Sequence, residues 1–114
     1  MASPYQTPAR GVRRSSAIIT VAAAATPENL YLRSTGRTVI LRKVIAYSNV
    51  GNAVLQIGTG LAPLVNIIPN LLVLNGVDNE WTEDEIPEVE VGANLTVQSS
   101  VLGIQVQIEV EEIG

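Results

Sequence analysis

A chain of 114 residues fits one domain with one core, and its lack of His and Cys excludes disulfides, imidazole or thiolate catalysis and Cys/His metal sites. Residues 1–43, with seven basic residues and one acidic, carry +6, whereas residues 44–114, with none and ten, carry −10. A separation this complete reads as a device for contacting neighbours rather than for chemistry.

Hydrophobic residues make up 46% of the chain, yet Phe is absent and Trp and Met occur once each. The core must therefore be Val, Ile, Leu and Ala, whose β-branched members favour sheet packing. No run approaches the ~20 apolar residues needed to span a bilayer.

In chain order, residues 1–16 (MASPYQTPARGVRRSS) combine Pro4, Pro8, Gly11 and three arginines without apolar periodicity. That is the composition of an extended N-terminal arm, leaving 17–114 as the folded domain. Ala17 to Ala25 contains the run Ile18, Ile19, Thr20, Val21, which disfavours helix, so a strand is expected there. Asn29 to Arg33 alternates, with Leu30 and Leu32 on one side. Arg37 to Ser48 is the longest strand candidate, with Val39, Leu41, Ile45 and Tyr47 on one face and Ile40, Val44 and Ala46 on the other. Apolar residues on both faces imply a central strand or one covered by a neighbouring subunit.

Asn49 to Asn52 is a turn, followed by a strand over Ala53 to Ile57 and a second turn at Gly58 to Gly60. Pro63 and Pro69 interrupt Leu61 to Leu74, which fits two short edge pieces better than a helix. Asp78 to Glu85 (DNEWTEDE) reads as an acidic loop holding the only Trp. Strands are then expected at Glu88 to Val91, Asn94 to Ser100 and Ile104 to Glu112. In the last, Ile104, Val106, Ile108 and Val110 face the core, while Gln105, Gln107, Glu109 and Glu111 face water. About eight short strands without helical periodicity predict an all-β, antiparallel β-sandwich, an eight-stranded jelly roll.

No catalytic, cofactor-binding or metal-binding residue is assigned. Glu83, Asp84, Glu85, Glu88 and Glu90 include enough carboxylates for a glycosidase pair, but the alternation of Glu88 and Glu90 with Val89 and Val91 is that of a solvated face. Asp78, Asn79, Glu80 and Asp84 offer oxygens for Ca²⁺ without the spacing or glycine of a calcium loop. Gly51, Gly58 and Gly60 lack the lysine and the strand-loop-helix context of a phosphate loop. Arg10, Arg13 and Arg14 are candidate partner-binding residues of the arm. Contact with another subunit is preferred to nucleic acid, because the body of the chain is acidic. Trp81 is a candidate ligand or interface residue, read first as a plug of the sandwich.

A basic, Pro-containing arm (SPYQTPARGVRR), a turn-rich hairpin (YSNVGNAVLQIGTG) and an acidic ending (PEVEVGANLTVQSSVLGIQVQIEVEEIG) together resemble the capsid decoration proteins of tailed phages and related viruses. The resemblance is one of architecture. It implies a non-enzymatic virion protein without cofactors, made in the host cytoplasm and placed on the capsid surface. Its partners would be the major capsid protein, other virion subunits and copies of itself, commonly as trimers. The alternative is a carbohydrate- or receptor-binding jelly roll of a phage tail, with Trp81 as its platform.

Overall fold

The computed structural model describes residues 11–114, which form eleven strands and, among the described residues, no helix. In the first sheet β1 (Val12–Ser15) and β2 (Ile19–Thr20) pair with β11 (Gln105–Ile113), β11 pairs with β4 (Thr38–Tyr47), and β4 pairs with β8 (Asp78–Trp81) and β9 (Glu90–Val91). In the second, β3 (Glu28–Tyr31) pairs with β10 (Leu95–Ser99) and β10 with β5 (Ala53–Thr59). β6 (Val65–Asn66) and β7 (Leu71–Val73) share the far edge of β5. All these pairings are antiparallel.

Six of the ten connections cross between the sheets, a jelly-roll path in an antiparallel β-sandwich. Eight strands were expected; the count is eleven because three positions are split. β1 and β2 share β11, β6 and β7 share β5, and β8 and β9 share β4. Proline lies in two of the three breaks, Pro69 between β6 and β7 and Pro87 between β8 and β9, where it removes a ladder donor.

Two bulges reset the alternation that the sequence suggests. Opposite β11, Lys43 pairs with Glu109 and Leu41 with Val110, so Arg42 is an extra residue without a partner in the ladder. Val39 and Leu41 therefore share the inner face with Val44 and Ala46, not with Ile45 and Tyr47. In β3, Tyr31 pairs with Leu95 and Asn29 with Thr96, leaving Leu30 extra; Leu30 and Tyr31 are both buried, while Leu32 is exposed. Of the strand expected over Ala17 to Ala25, only Ile19–Thr20 pairs. The segment then turns at Ala25, whose φ is 52°, and its amide donates to Ser99 O. The acidic stretch begins as a strand rather than a loop: Asp78–Trp81 is edge strand β8.

Between the sheets lie Val39, Leu41, Val44, Ala46, Leu55, Ile57, Val73, Leu95, Val97, Ile104, Val106, Ile108 and Val110, an aliphatic core. Glu111, expected to face water, is 2% exposed.

Gly58 sits where β5 meets β6, and a Cβ there would lie 1.9 Å from Val65 O and 2.6 Å from its carbonyl carbon. Only a residue without a side chain allows that approach of two backbones. Gly92, by contrast, has nothing within 4 Å of its Cβ position. Gly58→Ala is expected to lower unfolding free energy by about 1–3 kcal/mol in urea melts, as overpacking does. Gly92→Ala is expected to leave it nearly unchanged.

Candidate functional site

The outer face of the first sheet gathers the two halves of the charge division. Register places Arg13 of β1 opposite Glu111 of β11, and Lys43 of β4 opposite Glu109. The bulge sends Arg42 across the same face, where its Nε and Nη2 donate to Glu111 Oε1 at 3.0 and 2.9 Å. Its Nη1 donates to Glu88 Oε1 at 2.7 Å and stands 3.7 Å from Glu83 Oε2. Arg13 Nη2 also donates to Glu83 Oε1, at 3.1 Å, and Lys43 Nζ lies 3.1 Å from Glu80 Oε1 and 3.7 Å from Glu109 Oε2. Burial alone would lower the Arg42 pKa, but its hydrogen bonds to Glu88 and Glu111 outweigh it and hold the guanidinium charged. Lys43 is likewise raised, first by its hydrogen bond to Glu80.

Glu112, one residue on and facing inward, is 1% exposed. Its carboxylate accepts from Ser34 N at 2.9 Å, Ser34 Oγ at 3.0 Å and Arg14 Nε at 3.2 Å. The Ser34 amide, opposed by burial and aided by the Tyr31 and Ser34 hydroxyls and Arg14, holds its pKa down at about 2. The same contact, after burial, pushes the Tyr31 hydroxyl up to about 12.

Of the sequence-derived candidates, Arg10 lies outside the described residues. Arg13 and Arg14 stand in β1, tied to carboxylates of their own chain rather than projecting from it. Trp81 ends edge strand β8, opposite Val44, half-buried and packed against the core. The five clustered carboxylates do not converge on one pocket: Glu83 and Glu88 meet at Arg42, Glu85 accepts from Thr82 N and Oγ1, and Asp84 is exposed. Among the described residues no three His, Cys, Asp or Glu side chains are grouped to hold a metal ion.

The second sheet has the opposite character. Its strands carry one charge, Glu28, and β5, β6, β7 and β10 carry none. Three cross-strand rows make up its outer face: Asn29, Thr96, Gly58 and Asn66; Gln98, Gln56 and Asn70; Ser100, Val54 and Leu72. Beyond the third row the turns carry Val50, Leu74 and Leu102. Side-chain amides fix these turns. Asn79 accepts from Leu74 N and donates to Ala46, Leu74 and Val77 carbonyls, Asn52 Oδ1 accepts from Asn75 N, and Asn75 Oδ1 accepts from Gly51 N. Sequence reading passed over this surface, although residues 44–77 contain no charged residue at all.

Removing the Arg42 guanidinium while keeping its stem (Arg42→Met) leaves Glu111 buried without its principal cation. A loss of about 3 kcal/mol in chemical denaturation is expected. Glu112 titrates in the unfolded chain near 4.5 and in the folded chain at about 2. Its stabilising contribution is thus complete above 4.5 and is lost as pH falls toward 2. Glu112→Gln should be less stable than wild type at neutral pH and should show a flatter decline through that acid window, read by thermal melts across pH.

Neither a protein-family model nor a curated protein matches the sequence. Among solved structures the chain is similar to one from Bacillus endospore appendages, which, unlike this Cys-free chain, form disulfide-linked pili. Identity is 12%, the TM-score is 0.44, and the match covers 98% of this chain and 100% of that one. It is also similar to a chain of the extra small virus particle of the giant freshwater prawn Macrobrachium rosenbergii, at 12% identity and a TM-score of 0.39, over 98% of this chain and 88% of that one.

Proposed function

We propose that the protein is a non-enzymatic structural subunit of a virus particle, binding the capsid surface and reinforcing the shell through contacts between subunits. The observation that carries this reading is the unequal dress of the two sheets. On the first, the described cations Arg13, Arg14, Arg42 and Lys43 are matched to carboxylates of the same chain. On the second, amides, hydroxyls and aliphatic side chains face outward without charge. Depletion of charge around exposed aliphatic groups is the composition of a contact surface.

The clustered carboxylates serve the fold under this reading. A glycosidase pair needs one carboxyl held neutral and another free to attack or activate water. Glu83 and Glu88 instead share a guanidinium, and Glu85 closes a turn. Because Arg13 and Arg14 are engaged within the chain, any anchoring by the N-terminal segment falls to residues 1–10, with Arg10 as its cation. Repetition over a lattice would turn weak single contacts into lasting attachment.

Co-sedimentation of the purified chain with capsids of its own virus tests the proposal. The full chain is expected to pellet with particles and to raise their resistance to heat, and removal of residues 1–10 is expected to weaken binding while leaving the thermal melt of the free protein unchanged. A folded chain that stays in the supernatant at every concentration would defeat the reading.

A further inference from the structure

Five aliphatic side chains, Val50, Val54, Leu72, Leu74 and Leu102, are each at least 40% exposed. They gather at one end of the second sheet. Register sets Val54 beside Leu72 on the outer face, and the alternation of β7 puts Leu74 on the same side. The β10–β11 turn meets the β4–β5 turn, the Cβ position of Gly103 lying 3.6 Å from the Val50 side chain. The amide rows of Gln98, Gln56 and Asn70 continue the surface, with Gln56 Nε2 donating to Asn70 Oδ1.

We propose that this outer face, with its aliphatic end, packs against the same face of a second copy of the chain about a two-fold axis. The inference rests on the reading of the protein as an assembling subunit, and it sets a two-fold contact where the resemblance implies a three-fold one.

The charge pattern selects the occupant. A partner bringing Lys, Arg, Asp or Glu to this face would strip water from those groups and find no opposite charge in return, a cost of several kcal/mol for each buried ion. An uncharged partner meets no such cost, and the uncharged surface present in every solution of this protein is its own. Amides also suit pairing between identical surfaces. Each carries both donors and an acceptor, so a two-fold rotation can set donor against acceptor, which a row of like charges cannot do. The charged face of the first sheet would remain outward, its ion pairs already closed.

Light scattering coupled to size exclusion tests the contact. Wild type is expected as a dimer that dissociates on dilution. Val54→Lys with Leu72→Lys, both at exposed positions, should give a monomer whose thermal melt matches that of wild type diluted until it too is monomeric, and lies below that of the concentrated dimer. Gln105→Lys, on the other sheet, should remain dimeric. A wild-type monomer at all concentrations, a trimer, or a dimer indifferent to the Val54/Leu72 pair would overturn the proposal.

Particle co-sedimentation of the same variants separates this proposal from the wider reading. A protein that is monomeric as wild type yet pellets with capsids retains its structural role and loses the two-fold contact. A dimer broken by the Lys pair that never pellets keeps the contact and loses the capsid role.

Discussion

The extra residue in β4 is the constraint on which the first sheet turns. β4 and β11 are its two long strands, paired from Thr38 to Tyr47, and the bulge at Arg42 breaks their alternation once. Without it, Val39 and Leu41 could not share the inner face with Val44 and Ala46, because a one-residue slip sends every following side chain to the other face. The same bulge releases Arg42 from the ladder and turns it over Glu111. Core packing and charge compensation thus depend on a single backbone irregularity.

The charge division takes on a different meaning once the strands are in place. It looks in sequence like a basic half and an acidic half. In the fold, β1 and β4 supply Arg13, Arg14, Arg42 and Lys43, and β8, β11 and the segment after Trp81 supply the carboxylates that meet them at the first sheet. Pairing across sequence separations of 46 and 69 residues, as at Arg42, is what brings them together. Such pairs at partly exposed positions are worth little individually. The pair with Glu111 differs, because that carboxylate is out of water and its loss of hydration must be offset.

Much of the architecture was legible. Turn residues at short intervals, β-branched runs and the alternation Ile104, Val106, Ile108, Val110 were enough for an antiparallel sandwich, and the prolines after Gly60 marked two short edge pieces. The bulges were not legible, since Arg42 and Leu30 are ordinary strand residues and only the partner's register reveals them as surplus. Glu111 looked wet because it continues the alternation Gln105, Gln107, Glu109, yet Arg42 covers it; Glu112, in step with Val110, falls on the inner face and is met by Ser34 from the β3–β4 turn. The uncharged face of the second sheet was the reverse case. Its signal, a span from Val44 to Val77 without charge, is plain in the sequence, but only the strand register shows which of those residues share one outward face.

The turns at the aliphatic end of the sandwich are held by Asn52, Asn75 and Asn79 through bonds to backbone groups, not by their own sequence preference alone. Loops left loose in the free state lose conformational entropy when they are pressed against a neighbour, on the order of 1 kcal/mol for each immobilised side chain. Turns already fixed by side-chain amides lose less. The surface they present keeps one shape whether covered or bare, so association there would proceed as the docking of rigid bodies, without a folding step to slow it.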